Sequence, residues 1–390
     1  MCLFYTDKNW GIKNFRGNVV FIQSVKPAAF NASHLLDNTG VLKDKKQVLQ
    51  RNHLNFKNNK ATVSAQQALV YFTSSKASQL KGLADRVNPE MLEKHVRYLA
   101  SDDLAGRLPG TEGAREARDY IVNEFKKAGL IPLKELTDDG YVQKAVYQMA
   151  YHECTLNKQS GKFEKLNNDS ALTFNKGKLE LDNIIGYIPS KNNSEQYVFV
   201  TAHYDHLGRN VDTGKIYTGA DDNASGIAAL IESARILSKT NPDKNIVFVA
   251  TSGEEMGLLG ASYLAKQMVL NGFKGKAQVL NMDCLAAKGD FMTIEGGGPT
   301  MNRHLSSVAT RMADKLNINY DTPPKNDRTD AQAFEKAGIP AITFLWAWMN
   351  DGSNRQHYHQ PSDRPEIADY NNLYTSTKLA VETINELSKA

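Results

Sequence analysis

The sequence predicts an α/β protein with a mostly parallel central sheet sandwiched by helices. Three observations carry this. From Asn183 onward, short apolar runs alternate with longer segments of helical period, the order expected when parallel strands are joined by crossover helices. The runs NIIGYI, QYVFVTA and NIVFVAT are apolar throughout instead of alternating, as strands buried on both faces are. Polar residues then follow the strand ends in a regular way, which suits a sheet whose carboxyl ends gather ligands.

Residues 1–85 are poorly patterned. The stretch VLKDKKQVLQRNHLNFKNNK (Val41–Lys60) is basic, Asn-rich and low in apolar residues, and reads as a solvated extension in preference to a binding tail. Order begins in the domain spanning 86–390. Pro89 stands at a helix start, with Met91, Leu92, His95, Val96 and Leu99 on one face. A polar loop with Gly106, Pro109 and Gly110 leads to a helix from Glu112 to Ala128, which Gly129 stops. Residues 133–180 are mixed, and NKQSGKFEKLNNDS within them reads as a hairpin or loop insertion. Beyond the three strand runs already quoted, SGIAALIESARILSK and MGLLGASYLAKQMVLNG read as helices and AQVLNMDC as a strand. A helix near Asn302–Leu316, a short one near Asp330–Ala337, the strand PAITFLW and a helix near Asn371–Ser388 complete the pattern.

Composition narrows the function classes. A formal charge of +4 over 390 residues, with no basic-and-aromatic stripe, argues against a nucleic-acid partner. No run of about 18 apolar residues appears, so no membrane span is expected. The three cysteines, Cys2, Cys154 and Cys284, contain no CxxC pair, which sets aside a cysteine zinc site. Buried free thiols are favoured over a Cys154–Cys284 bridge.

The chemistry sits at the strand ends. QYVFVTA runs into His203-Tyr204-Asp205, NIVFVATSG into Glu254-Glu255 and AQVLNM into Asp283, while the loop after PAITFLW carries His357, Tyr358 and His359 in HYHQPSD. Imidazoles and carboxylates together suit zinc and similar divalent metals. Several carboxylates in one cleft would raise one another's pKa unless a cation lay among them. A pair of divalent ions removes that difficulty, and one acid of GADDNASG, Asp221 or Asp222, then lies between the two. Adjacent Glu254 and Glu255 cannot point the same way from extended backbone, so one can bind metal while the other faces a water. Taken singly, each piece has an ordinary structural reading: a capped histidine, solvated acids, a chance MDC. Their order and shared location carry the argument.

VTAHYDHLG, GADDNASG, TSGEEMGLLGASYL, NMDC and YHQPSD resemble the ordered motifs of the dinuclear-zinc aminopeptidases, the family twenty-eight metallopeptidases. The upstream YLASDDLAGRLPGTEG is similar to that family's helical prelude, so the resemblance runs from about Val87 to the C-terminus, weakly between Leu133 and Leu181. It implies a zinc-peptidase (phosphorylase/hydrolase-like) fold and two divalent ions, zinc first, with cobalt or manganese as alternatives. It also implies a monomer acting on a peptide with a free N-terminus. By resemblance Asp221 bridges the metals, His203 and Asp283 complete one site, and Glu255 and His359 the other. Glu254 is then the general base acting on the bridging water, and Tyr358 stabilises the oxyanion. Asp205 accepts a hydrogen bond from His203, and Asp222 supports the Asp221 turn across a cis peptide bond between the two acids. The pattern H-x-P-x-D selects His359 over His357, which is read as a loop residue, and His206 is read as lying behind the site or at the surface. One departure stands out: Ala331 in RTDAQAFEKAGIP occupies a position where relatives often carry histidine, which bears on substrate preference more than on catalysis.

Relatives of this kind are often secreted or periplasmic, whereas the start MCLFYTDKNWGIKNFRG lacks the basic and apolar regions of a signal peptide. Other activities on the same scaffold are a glutaminyl cyclase-like acyltransferase, against which the intact DDNASG turn argues, and a carboxypeptidase or dipeptidase. A receptor-like member would lack ligands, and none is missing here.

Overall fold

The computed structural model describes residues 82–148, 178–210, 212–326, 328–346 and 356–390, together with the backbone of five further short strands. The chain forms two compact units, Met1–Lys81 and Gly82–Ala390. In the first, β1 (Cys2–Thr6), β2 (Asn9–Lys13) and β3 (Val19–Gln23) make an antiparallel three-stranded sheet. The basic stretch Val41–Lys60 lies outside the described residues.

The second unit opens with α1 (Pro89–Leu99) and α2 (Glu112–Ala128). The Asn88 side chain accepts the amides of Glu90 and Met91 at the start of α1, and Thr111 caps α2 through the Ala114 amide. Gly129 ends α2 in the left-handed region at φ 83°. Next come β4 (Val142–Gln148), the antiparallel pair β5 (Cys154–Asn157) and β6 (Lys162–Lys165), then β7 (Lys178–Ile188) and β8 (Tyr197–His203). After the short pair β9 (Gly208–Arg209) and β10 (Ile216–Tyr217) follow α3 (Gly226–Leu237), β11 (Asn245–Thr251), α4 (Leu259–Leu270) and β12 (Ala277–Met282). The rest is β13 (Met292–Glu295), α5 (Arg303–Leu316), β14 (Tyr320–Asp321), α6 (Ala331–Lys336), β15 (Ala341–Trp346) and α7 (Tyr370–Leu387).

Eight strands form the central sheet in the order β14-β13-β15-β12-β8-β11-β7-β4. Its middle four, β15, β12, β8 and β11, are parallel, with His203 opposite Thr251 and Met282 opposite Phe344. The flanks are not: β7 runs antiparallel to β11, β4 to β7, and β13 to β15. The sequence reading found the parallel centre but neither β4 nor β13, because VQKAVYQ is half polar and MTIE is too short to show a period.

Each middle strand is buried on both faces. Val198, Val200, Ile246 and Phe248 pack into one core under α1, α2, α3, α5 and α7. Phe199, Val247 and Val249 point the other way, into a second core with Leu264 and Met268 of α4 and Phe334 of α6. The apolar runs therefore follow from two-sided coverage. The carboxyl ends of β8, β11, β12 and β15 lie side by side at one edge, which is where the sequence placed its chemistry. Among the described residues no helix is long and apolar enough to cross a membrane. Cys284 is a free, buried thiol; the side chain of Cys154 lies outside the described residues.

Candidate metal centre

His203 is the last residue of β8, and its imidazole is nearly fully buried. Its Nε2 lies 3.3 Å from Asp222 Oδ1 and 3.4 Å from Asp283 Oδ1. Asp222 turns its other oxygen, Oδ2, towards His359 Nε2 at 3.2 Å, and His359 Nε2 is in turn 3.0 Å from Glu255 Oε2. Glu255 Oε1 meets His206 Nδ1 at 2.7 Å. Six side chains thus form one string, Asp283–His203–Asp222–His359–Glu255–His206, with Asp222 at its middle.

The position of Asp222 corrects one sequence expectation. Asp221 was expected between the two groups, with Asp222 supporting it; the geometry reverses the pair. Asp221 Oδ1 accepts the Ala286 amide at 2.7 Å, which ties that carboxylate to the loop after β12. The cis peptide bond likewise falls one residue later than expected, between Asp222 and Asn223. Asn223 fastens the turn to the end of β12: Oδ1 accepts the amides of Gly226 and Cys284, and Nδ2 donates to Met282 O. A Cβ at Gly226 would lie 2.3 Å from Asn223 Oδ1 and 2.6 Å from Met282 O, so only glycine permits this approach.

Asp205 also differs from expectation in the atom it uses. His203 Nδ1 lies 3.2 Å from the main-chain oxygen of Asp205 and 3.7 Å from its carboxylate. The hydrogen bond that fixes the His203 tautomer therefore goes to the backbone, while the Asp205 carboxylate accepts the amides of Glu254 and Glu255 at 3.2 and 3.3 Å. Asp205 holds the turn that carries both glutamates.

Two residues that sequence reasoning gave no role complete the frame. Asp363, the last letter of YHQPSD, accepts the amides of Asp221 and Asp222 on its two oxygens. Arg107, in the prelude loop, is fully buried and donates to the main-chain oxygens of Leu99, Tyr204, Thr218 and Gly219. Both letters lay inside quoted motifs, but nothing in their spacing announced main-chain partners. His357 is not brought to the string; its Nδ1 meets Ser362 Oγ at 2.9 Å. Tyr358 stacks on the His359 ring with centroids 3.8 Å apart, and together with Asp221, Asp222 and Ala286 it lines a cleft. Ala331 is buried at the start of α6 beside Asp330, whose Oδ2 accepts the Thr251 hydroxyl.

The electrostatics follow from burial and proximity. Burial pushes Glu254 well above its ordinary value; His203 opposes this, and Glu255, Asp283 and Asp330 add to it. Burial likewise raises Asp205 to about 6 and Asp330 to about 7. Against its own desolvation, Glu255 is drawn down to about 2, chiefly by His359 and His206, and Asp222 well below its usual range by His203 and His359. Desolvation is also overcome at His359, which Glu255 and Asp222 hold up to about 11. The cluster calls for positive charge at its centre.

The donor set fits divalent metal. His203, Asp222 and Asp283 bring ligand atoms within 4.8 Å of one another, as do His206, Asp222 and Glu255. Asp222 Oδ2, Asp283 Oδ1 and His359 Nε2 are buried with no hydrogen-bond partner among the described residues. Ligands held at 2.0–2.2 Å around a tetrahedral zinc ion sit about 3.3–3.6 Å apart. The 3.0–3.4 Å separations from Asp283 through His203, Asp222 and His359 to Glu255 lie at or just inside that spacing.

The sequence model of peptidase family M28 matches residues 183–384. The chain is 27% identical over 214 residues to aminopeptidase YwaD of Bacillus subtilis, an alignment covering 53% of this chain and 45% of YwaD. It is 28% identical over 293 residues to the alkaline phosphatase isozyme conversion protein of Escherichia coli, covering 69% and 75% of the two chains. The chain thus spans less than half of YwaD and about three quarters of the second relative. Among solved structures, BSAP, a zinc aminopeptidase from Bacillus subtilis, superposes with a TM-score of 0.61 at 18% identity over 78% of this chain and 96% of that one. Porphyromonas gingivalis glutaminyl cyclase gives 0.58 at 20% identity over 77% and 99%. At such identities the structural likeness speaks for the fold alone.

Proposed function

This chain belongs to peptidase family M28, and on that premise we propose that it is a zinc-dependent exopeptidase that releases the N-terminal residue of a peptide. One observation carries the reading: a single carboxylate, Asp222, faces an imidazole on each side, His203 at 3.3 Å and His359 at 3.2 Å. Two ions sharing Asp222 would be held by His203 and Asp283 on one side and by Glu255 and His359 on the other. Bound there, they supply Lewis acidity and the positive charge that the carboxylates call for.

The chain's own groups supply the rest. Glu254 is half-buried and held well above the usual carboxylate range, so it suits a group that takes a proton from the attacking water and returns it to the leaving amine. Asp205 fixes the direction of Glu254 and Glu255 through their amides. To Tyr358, which lines the cleft beside Asp222, we assign the hydrogen bond to the oxygen that gains charge in the transition state. The relative named aminopeptidase supports removal of an N-terminal residue.

The test is elemental analysis of the purified protein beside a panel of aminoacyl substrates, with pyroglutamate formation assayed in parallel. About two zinc ions per chain and chelator-sensitive aminoacyl hydrolysis are expected. One zinc with pyroglutamate release would instead support a cyclase, and full activity in strong chelator would rule out a metal role. Glu254→Gln should keep its metal and lose about 10²–10⁴ in turnover; near-normal turnover would remove Glu254 from the mechanism.

A further inference from the structure

His206 is fully buried and takes no part in the ligand set proposed above. Its Nδ1 lies 2.7 Å from Glu255 Oε1 and 3.9 Å from Asp222 Oδ2, near enough either to ligate or to orient. Its other nitrogen decides between the two. Nε2 is buried with no partner among the described residues. If Nδ1 bound metal, the ring proton would sit on Nε2 as an orphaned N–H, a rare and costly state in a protein interior. With the proton on Nδ1, Nε2 holds only a lone pair, and the proton points at Glu255. The ring has little freedom to do otherwise. Gly219, at φ 59°, packs so closely that a Cβ there would lie 2.6 Å from His206 Cγ, and the His206 amide reaches Arg107 O.

We propose that His206 is a positioning residue for Glu255: its Nδ1–H holds Oε1, leaving Oε2, 3.0 Å from His359 Nε2, as the oxygen offered to the metal. The proposal rests on the metal reading above. It makes the two sites unequal, because among the described residues the His203–Asp283 side shows no such buried side-chain donor to a ligand carboxylate in the string.

Zinc affinity tests this directly. Wild type, His206→Leu and His206→Asn are loaded with zinc, equilibrated against a graded series of a chromophoric chelator, and analysed for metal per chain; the melting temperature of each chelated protein serves as a fold control. Asn carries an N–H near the position of Nδ1, whereas Leu carries none. His206→Leu is expected to lose about 10–100-fold in affinity at one site only, so that it holds one ion where wild type holds two. His206→Asn is expected to stay close to wild type. Should the Leu variant fail to fold, His206→Gln, whose donor sits near the Nε2 position, takes its place with the same expected loss. Unchanged affinity without the donor would reduce His206 to packing, and equal loss in the Asn variant would make it a ligand; either result overturns the proposal. A wild-type chain that binds no zinc would overturn the metal reading itself, and this proposal with it.

Discussion

Asp363 Oδ2 accepts the main-chain N–H of Asp222 at 3.1 Å, across 141 residues of sequence. Its Oδ1 takes the Asp221 amide at 2.9 Å, and its main-chain oxygen takes the Thr218 hydroxyl. A residue four places beyond His359 therefore sets the orientation of the carboxylate that His359 faces. Asp363→Asn turns one of these acceptors into a donor aimed at an amide. It is expected to lower zinc affinity by about 10–100-fold while circular dichroism remains native. Unchanged affinity would show that the turn holds Asp222 without help.

Asp221 and Asp222 make a matched pair for mutation. Asp222→Asn removes charge between two imidazoles and should abolish binding of at least one ion, with turnover falling by several decades. Asp221→Asn keeps an oxygen that can accept the Ala286 amide, so metal content is expected to stay near wild type. Metal analysis of the two variants side by side decides the matter; loss of metal in the Asp221 variant alone would restore the sequence-based assignment.

Arg107 offers a test of stability apart from chemistry. Its guanidinium serves four main-chain oxygens at once, which requires a planar fork of donors. Lysine keeps the charge but not the fork. Arg107→Lys and Arg107→Met are both expected to destabilise the fold by about 3 kcal/mol or more, since each leaves buried carbonyls without donors. Denaturant melts of the chelated proteins measure this, and a Lys variant as stable as wild type would mean that charge alone suffices.

His95 predicts a pH dependence remote from the candidate metal centre. Burial lowers its pKa from the ordinary 6.5, and its Nδ1 pairs with the Tyr120 hydroxyl at 2.7 Å. A depressed imidazole pKa means that the unfolded chain binds a proton more readily than the folded one. The stability His95 contributes is then complete above about pH 6.5 and declines as pH falls below it. His95→Asn removes the titration, so the loss of melting temperature between about pH 7.5 and pH 5.5 should be smaller in the variant than in wild type. An equal loss would place the acid sensitivity elsewhere.

Much of the fold could be read in the sequence because two-sided burial leaves a strong mark: NIVFVAT is buried at every residue, and the 3.6 period of Glu112–Ala128 survives intact. The flanking strands β4 and β13 left no such mark: in β4 an exposed Lys144 sits beside a buried Gln143 that is satisfied by Leu136 O and Asn183, and a four-residue strand has no period. Within the site, residue types were informative and neighbours were not. Histidine and carboxylate at strand ends announce a metal, but Asp221 and Asp222 are chemically identical letters. What separates them is which one meets the Ala286 amide, a fact about main-chain position. The same limit hid Arg107 and Asp363, which act almost wholly on backbone atoms and so have no partner letter to pair with in a sequence.

The recognisable portion of this protein is smaller than its foldable portion. The family match begins at residue 183, yet the guanidinium under the site comes from residue 107, and the helices Pro89–Leu99 and Glu112–Ala128 cover the Gly226–Leu237 helix from outside the match. A chain trimmed to the matched segment would retain every acid and imidazole of the cluster while stripping away the roof over an almost wholly apolar helix. Anyone shortening this protein for expression should cut no later than Gly82, where the compact unit begins.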